Sequence, residues 1–298
     1  TKGSDDVVVA VVDTGVDYTH EDLKDNMWEN TYQPKLRGEY GYDFANADTD
    51  PMDDEGHGTH CAGIIGAKGD NGVGVSGMNH NVKIMALKAL DERGSGSDSD
   101  LIDAYNYINK AINLGVNVAA INDSWGGEGK SAIFKKLMDL VGAKGAVSVC
   151  AAGNESADND ETAIYPANDD CAYKISVAAT NEKGELSNYS NYGSEKVDIA
   201  APGSDILSTY AEDCYNPSIY SAEKQKEVTQ KFENFNGEST WADWSPENIQ
   251  ITSTLNEKES GYKAELSDDN LGETKGKSLK ISLKGVSAGE TVSVRIPY

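Results

Sequence analysis

The sequence feature that most constrains the fold is a run of apolar, mostly β-branched residues that ends in an acid. Residues 8–12 have the sequence VVAVV, Asp13 follows them, and Gly15 lies in the turn that comes next. Unbroken apolar runs of this kind are typical of strands buried on both faces of a parallel sheet. Open α/β sheets bind their ligands at the carboxyl ends of the strands. The run therefore predicts that Asp13 presents a carboxylate at the functional edge of a parallel α/β sheet.

A second segment, residues 57–63 with the sequence HGTHCAG, supplies an imidazole. His57 stands where a run of small residues begins, and such a run can pack tightly as a helix. A carboxylate beside an imidazole fixes the ring tautomer and stabilises the imidazolium, while the imidazole takes the proton of a nucleophile. We therefore expect Asp13 and His57 to act together in nucleophilic catalysis.

Alternating strand and helix patterns continue along the chain. Apolar spacing and capping residues predict two helices, one from Asp98 to Asn113 with Asp98 or Ser99 as its N-cap, and one from Ser131 to Lys144. Apolar runs predict further strands at residues 82–87, 116–121, 146–150 and 174–179. Strands that alternate with helices in this way build a parallel α/β sandwich.

The segments around Asp13 and His57, DTGVD and HGTHCAG, resemble the Asp and His motifs of the subtilisin-like serine peptidases and occur in the same order. The resemblance continues to about residue 209 through segments such as AAGN at 151–154 and AAPG at 200–203. It implies a three-layer subtilisin-like α/β domain with a parallel sheet. It also implies an endopeptidase that hydrolyses extended polypeptides with an Asp-His-Ser triad, is secreted or displayed on the cell surface, and needs no redox cofactor.

The same resemblance implies the other residues of the active site. Asn154 would donate its side-chain amide to the carbonyl oxygen that becomes negative during acyl transfer. Two backbone segments would bind the extended substrate, one on each wall of the cleft. These segments are Gly94, Ser95 and Gly96, and Ser124, Trp125 and Gly126. Asp123 stands where an apolar residue is more usual in the family, and Trp125 is interpreted as a pocket wall, with ordinary core packing as the alternative.

Two loops resemble a calcium site of the family. A calcium ion needs several oxygen ligands, and the resemblance implies the side chains of Asp22 and Asn71 with backbone carbonyls near Val73 and Val75. A plain solvated turn is the alternative interpretation. The acidic residues between positions 43 and 55 are expected to form a solvated face, with a second cation site or a preference for basic substrates as alternatives.

The segment that should carry the nucleophile is not found. Subtilisin-like enzymes place a Gly-Thr-Ser-Met turn after the region that ends here at Thr209, and the sequence after Thr209 contains no such turn. We interpret residues 1–215 as an incomplete subtilisin-like domain that is interrupted by residues 216–298. The serine is then expected in a segment outside this chain or in a second chain, and this chain alone would be inactive or weakly active.

Residues 216–298 have a different character. A polar stretch precedes short alternating runs at 278–283 and 291–296, which put their apolar residues on one face. This pattern predicts a linker and part of an all-β, jelly-roll-like sandwich. Trp241 and Trp244 could stack on sugars or pack in a core, so a carbohydrate-binding protein is one alternative function. A second alternative is a pseudoprotease, a peptide-binding scaffold that keeps the cleft without the chemistry.

Composition narrows the partners. The formal net charge of −24 argues against nucleic acid and anionic membrane surfaces, because both would be repelled. No apolar run is long enough to insert into a membrane, and residues 1–5 lack a signal-peptide pattern, so we expect a processed N-terminus. The four cysteines have no zinc-type spacing, and a Cys150–Cys171 disulfide is one alternative for two of them.

Overall fold

A computed structural model describes residues 2–211, 250–253, 261–267, 278–284 and 292–295. The chain divides into two compact units, Thr1–Tyr215 and Asn216–Tyr298. The boundary agrees with the one predicted from the change in sequence character at residue 216.

Unit 1 is built on a seven-stranded sheet in which every neighbouring pair is parallel. The strand order is β2-β3-β1-β4-β5-β6-β7, so β1 lies near the middle. The strands are β1 (Val8–Asp13), β2 (Gly41–Asp43), β3 (Lys83–Lys88), β4 (Val118–Asp123), β5 (Val147–Ala151), β6 (Lys174–Thr180) and β7 (Ile199–Pro202). Each strand predicted from an apolar run is present, with ends shifted by one or two residues.

Three helices accompany this sheet. They are α1 (His57–Gly66), α2 (Asp98–Asn113) and α3 (Ala132–Gly142), and a short 3-10 helix spans Lys24–Asn26. Helix α2 has the predicted bounds, but its N-cap is Ser97, whose side chain accepts from the Asp100 N–H, rather than Asp98 or Ser99. Ser131 caps α3 in the same way through the Phe134 N–H. Both caps satisfy backbone donors that a first helical turn leaves open.

Alternate residues of the central strands face two separate apolar cores, which proves the three-layer arrangement. Val12 and Met85 pack on one face with α2 and α3, whereas Val11 and Ile84 pack on the other face with α1. Successive side chains of a strand point to opposite faces, so a strand buried on both faces must be apolar throughout. The predicted three-layer α/β fold is confirmed for unit 1.

In unit 2 the described residues form four strands in two antiparallel pairs. The strands are β8 (Gln250–Ser253), β9 (Gly261–Ser267), β10 (Ser278–Lys284) and β11 (Val292–Arg295). Strand β10 pairs with β9, and β11 pairs with β8. The jelly-roll assignment stays a prediction, and Trp241 and Trp244 lie outside the described residues.

Two further expectations concern cysteines and membranes. Cys61, Cys150 and Cys171 are free thiols, so the alternative of a Cys150–Cys171 disulfide is wrong. Cys150 is buried and directs its sulfur toward Asp123. Within the described ranges, no helix has both the length and the apolar character needed to cross a membrane.

Candidate active site

The carboxyl end of β1 and the first residue of α1 bring Asp13 and His57 together. The distance from His57 Nδ1 to Asp13 Oδ1 is 2.8 Å. The Asp13 side chain is fully buried, whereas 48% of the His57 side chain is exposed. A second donor, the Thr14 N–H, also reaches Asp13 Oδ1 at 2.8 Å. The acid is thus fixed and dry, and the imidazole can reach a substrate.

The hydrogen bond from Asp13 raises the pKa of His57 above its ordinary value, and a weaker contact with Cys61 acts in the same direction. Burial of the ring opposes both effects. Cys61 lies one helical turn after His57, with its Sγ 3.9 Å from His57 Nδ1. One ligand atom each from Asp13, His57 and Cys61 lies within 4.8 Å of the others, a set that can bind a thiophilic metal ion. The remaining ring nitrogen, Nε2, has no hydrogen-bond partner in the part of the chain that the structure describes.

Asp53 is a functional residue that the sequence interpretation missed. Instead of belonging to a solvated acidic face, it is buried and connects β1 to α1. Its Oδ1 accepts from Thr14 Oγ1 at 2.8 Å and from the Gly56 N–H at 2.8 Å. Its Oδ2 accepts from the N–H and the hydroxyl of Thr59, at 2.9 and 2.6 Å. Because Gly56, the N-cap of α1, has no capping side chain, Asp53 satisfies the first turn in its place. The available signal was an acid just ahead of a helix start.

Lys88, at the end of β3, is a second missed residue. Its side chain is 1% exposed and pairs with Asp54 at 2.6 Å. The ammonium also donates to the carbonyl oxygens of Thr14 at 2.7 Å and Leu90 at 3.0 Å. A buried ammonium needs this full set of acceptors. Lys88 therefore ties the residue after Asp13 to the loop that leads into α1.

Asn154 follows β5, two places from β1 in the sheet, and so lies at the same carboxyl edge as Asp13. Buried Asn191 holds its loop. The Asn191 side-chain oxygen accepts from the N–H groups of Glu155 and Ala157 at 2.8 and 3.0 Å, and its nitrogen donates to Glu155 Oε2 at 2.8 Å. The Glu155 carboxylate in turn accepts from the Asn154 N–H at 3.0 Å. The side chain of Asn154 is exposed and makes no hydrogen bond within the described residues, so its amide is available to a ligand.

The predicted substrate segment at Gly94, Ser95 and Gly96 is an exposed turn organised by Asp91. The N–H and C=O of Ser95 are both used inside the turn, by the Asp91 side chain and the Asp91 N–H. Gly96 lies so close to Leu90 and Ala89 that a Cβ there would meet Ala89 O at 2.6 Å. The backbone of Gly96 is therefore the part of this segment that has both the closeness and the free groups for strand pairing.

The opposite wall, Ser124, Trp125 and Gly126, follows β4. Ser124 Oγ donates to Asn122 Oδ1 at 3.0 Å, and Gly126 packs on Ile164. The Trp125 ring packs edge-on against Phe134, with 5.4 Å between the ring centroids. Trp125 also lines an open hollow, so both interpretations of this residue, core packing and pocket wall, apply.

Asp123, the unusual acid at the end of β4, is fully buried beneath this wall. Its Oδ2 accepts from the Tyr105 hydroxyl at 2.6 Å, and that hydroxyl also contacts Ser148 Oγ at 2.8 Å. Burial raises the pKa of Asp123 to about 7. The polar group is thus accommodated by a tyrosine and a serine on its neighbours α2 and β5.

The residues of the expected calcium site do come together. Asp22 is buried, and its carboxylate accepts from the Asn71 side-chain nitrogen at 2.7 Å and the Val75 N–H at 2.8 Å. Asn71 Oδ1 accepts from the Val73 N–H at 3.1 Å. Calcium requires oxygen ligands, and Asn71 presents nitrogen to Asp22. The set fits calcium once the Asn71 amide is turned by half a rotation, which is a free choice of assignment for an amide.

The nucleophile remains a matter of prediction. Residues 212–249, which follow the Thr209 region and include the string GEST at 237–240, lie outside the described residues. The expectation that this chain lacks the reactive serine therefore rests on its sequence.

Known proteins share these features. The model of the subtilase family matches residues 4–241. A thermophilic serine proteinase of Bacillus sp. (strain AK1) is 40% identical over 215 residues, which make up 72% of this chain and 48% of that protein. A cell wall-associated protease of Bacillus subtilis (strain 168) is 40% identical over 203 residues, 68% of this chain and 20% of that protein.

Solved structures agree with the sequence matches. A cold adapted subtilisin-like serine proteinase shares the fold with a TM-score of 0.58 and 30% identity, over 72% of this chain and 70% of that one. The matched region of this chain spans less than half the length of either relative named above. The family model nevertheless covers most of the chain, from strand β1 to beyond strand β7. With its aspartate and histidine motifs in contact, this chain belongs to the subtilase family of serine proteases.

Proposed function

We propose that this chain is the aspartate- and histidine-bearing part of a serine endopeptidase that hydrolyses extended polypeptides. The observation that carries the proposal is the 2.8 Å contact between buried Asp13 and half-exposed His57. A buried carboxylate that accepts from Nδ1 leaves Nε2 as the basic nitrogen, which is the nitrogen that a general base uses. Nucleic acid and membrane insertion have no place in this proposal, because the chain carries a net charge of −24.

In the proposed reaction, a serine hydroxyl from a segment outside residues 1–298 attacks the peptide carbonyl. Its proton moves to His57 Nε2 as the new C–O bond forms, and Asp13 stabilises the resulting imidazolium. The Asn154 amide donates to the oxyanion. His57 then gives the proton to the leaving amine as the C–N bond breaks, and water repeats the sequence to release the acid and restore the serine.

The test uses the full-length product that contains this chain, treated with a serine-directed fluorophosphonate and assayed on a quenched extended peptide. We expect one labelled serine, mapped by mass spectrometry to a position outside residues 1–298. We expect His57→Ala to reduce labelling and peptide hydrolysis by about 10⁴-fold, whereas His80→Ala, which changes a histidine outside the site, retains both.

Each part of the proposal has its own contrary result. A labelled serine within residues 1–298 would refute the placement of the nucleophile. Peptide hydrolysis that survives His57→Ala would refute the role of this histidine. Complete absence of label and of hydrolysis in the full-length protein would favour a peptide-binding scaffold instead.

We further propose that Asp22, Asn71 and the backbone at Val73 and Val75 hold a structural calcium ion. The support is a buried carboxylate that already contacts two of the other three residues. Binding to the folded state alone stabilises it by about 2.7 kcal/mol at a calcium concentration of 100 times Kd. Calcium should therefore raise the Tm, EDTA should lower it, and Asp22→Asn should abolish the difference, whereas Asp25→Asn should keep it. A Tm that is the same in calcium and in EDTA would contradict the site.

The proposed location is outside the cell or at its surface. The support is the name of the relative from Bacillus subtilis, a cell wall-associated protease. Fractionation of the source cells with an antibody against this chain tests the proposal, and a product confined to the cytosol would contradict it.

A further inference from the structure

A hollow of about 290 Å³, including the open space at its mouth, lies between the two predicted walls of the substrate cleft. Asp98, which lines it, begins α2 two residues after the Gly94–Gly96 segment, and Trp125, which also lines it, belongs to the opposite wall. A peptide that pairs with Gly96 would therefore carry a side chain past the mouth of this hollow. The lining combines aromatic rings of Trp125, Phe134 and Tyr165 with the carboxylates of Asp98 and Asp169.

Asp169 is the group in this hollow that needs a partner. It is only 4% exposed, and its Oδ1 accepts no hydrogen bond from the described residues. Burial raises the pKa of Asp169, and the charges of Lys130, Lys135 and Lys174 oppose that rise. None of these lysines forms an ion pair with it within the described ranges, where Lys135 pairs with Asp139 and Lys174 with Asp198. An unpaired buried carboxylate is costly, so a ligand that brings N–H donors would gain by binding here.

The other groups of the hollow select the kind of donor. Aromatic faces attract cations, and the Lys130 ammonium already lies over the Tyr165 ring, 5.6 Å from its centroid. Exposed Asp98 adds a second negative charge at the mouth. The Trp125 Nε1–H is also buried without an acceptor among the described residues, and a peptide supplies backbone carbonyls. Two carboxylates and three rings together favour a cationic side chain on a polypeptide over an apolar or anionic one.

We propose that this hollow binds a lysine or arginine side chain of the polypeptide substrate, with Asp169 as the residue that determines specificity and Asp98 as its support at the mouth. The inference rests on the proposed peptidase function and names the class of substrate for it. Charge-assisted hydrogen bonds to a desolvated carboxylate are about twice as strong as neutral ones, so the basic side chain contributes selectivity as well as affinity.

The test measures binding and does not depend on turnover. Extended peptides that are identical except at one position carry lysine, arginine, glutamine or norleucine, and that position is moved along the peptide. Binding to this 298-residue chain is followed by isothermal titration calorimetry. At one position we expect lysine and arginine to bind at least about tenfold more tightly than norleucine or glutamine. Asp169→Asn should remove that preference, Asp98→Asn should weaken it, and Asp170→Asn, on the exposed neighbour of Asp169, should leave it intact.

The outcomes separate this inference from the function on which it rests. Peptides that bind with equal affinity whatever the side chain would refute the basic preference and leave the peptide cleft standing. A basic preference that persists in Asp169→Asn would refute the role of Asp169. Failure of every peptide to bind the wild-type chain would refute the cleft itself. Because the comparison among side chains uses the wild-type chain, it holds even if a variant fails to fold.

Discussion

At the scale of single residues, the pair of Asp13 and His57 depends on an asymmetric carboxylate. Asp13 Oδ1 accepts from both His57 and the Thr14 N–H, while Asp13 Oδ2 is buried and has no partner among the described residues. The charge of the acid is therefore balanced mainly through one oxygen. An imidazolium at His57 is the strongest compensation available to it, which is the physical reason that the histidine holds its proton more tightly.

Removing the charge of Asp13 should lower the pKa of His57. In Asp13→Asn the hydrogen bond that raises this pKa is lost, so the ring should titrate closer to the ordinary value of about 6.5. In the wild type the folded-state pKa lies above the unfolded value. The pair therefore contributes its full stability below about pH 6.5, and that stability is lost as the pH rises through the folded-state pKa.

The measurement is an NMR titration of the imidazole signals of this chain, with His80 as the internal control. Equal His57 titration in the wild type and in Asp13→Asn would contradict the assignment. The pH dependence of unfolding should weaken in the variant for the same reason.

Removing the acceptor strength of Asp53 should destabilise the fold and disturb His57. In Asp53→Asn an amide group replaces one carboxylate oxygen and opposes N–H donors such as those of Gly56 and Thr59. Leaving buried donors unsatisfied costs about 1–3 kcal/mol each. We expect that loss in the free energy of unfolding, together with a shift of the His57 imidazole signals. Asp48→Asn, an exposed residue of the same acidic stretch, is the control. Equal stability of the two variants would argue against the network.

At the scale of elements, the active site depends on how closely α1 approaches the turn after β1. Gly58, in the first turn of α1, lies against the backbone of Gly15, and a Cβ on Gly58 would overlap Gly15 O and meet Asp13 Cβ at 3.1 Å. The same turn is fixed by the Gly58 N–H, which donates to Thr14 Oγ1 at 2.9 Å. Small residues at the start of α1 are therefore what brings an imidazole and a carboxylate into contact.

Adding one methyl group at Gly58 should separate the helix from the strand. Overpacking of this kind typically costs about 1–3 kcal/mol. Because the obstacle is backbone, we expect Gly58→Ala to lower the free energy of unfolding by that amount and to reduce the pKa of His57, since the contact with Asp13 lengthens. Gly129→Ala, where an added Cβ has nothing within 4 Å, is the control. A Gly58→Ala chain with normal stability and normal His57 titration would show that the helix can adjust.

At the scale of the whole molecule, unit 1 contains a polar group in a place that the fold usually makes apolar. Asp123 lies in the layer between β4, β5 and α2, with Tyr105 and Ser148 as its partners. Burial, not a neighbouring charge, is the largest cause of its raised pKa. The fold therefore binds a proton at this position more tightly than the unfolded chain does.

This proton should make global stability depend on pH. The folded-state pKa exceeds the unfolded value, so the stabilising effect is complete below the unfolded pKa and is lost as the pH rises through about 7. The difference between pKa 3.8 and about 7 corresponds to roughly 4 kcal/mol. Asp123→Asn removes the titration, so its stability relative to the wild type should increase from pH 5 to pH 8. Denaturant unfolding at both pH values measures this, and a constant difference would contradict the buried, titrating acid.

Much of the fold and the central pair of the site followed from the sequence alone. The apolar run ending at Asp13, the spacing of α2 and the small residues after His57 are local patterns, and local geometry converts them directly into strands and helices. The order of these elements then placed Asp13, Ser124 and Asn154 at one edge, because the carboxyl ends of parallel strands lie together. Family resemblance supplied the role of Asn154.

Only the tertiary structure decided which polar residues are buried and what they contact. Asp53 and Asp169 have the same composition signal as solvated acids, and the sequence gives no sign of the burial that makes one a positioning residue and the other a candidate for binding a basic side chain. Cys150 and Cys171 likewise stay unpaired because their surroundings direct them elsewhere. Burial and hydrogen bonding join segments that are distant in the chain, such as Asp53 with Thr14 and Asn191 with Glu155. A local pattern carries no information about such partners, because they meet only when the sheet and its helices have assembled.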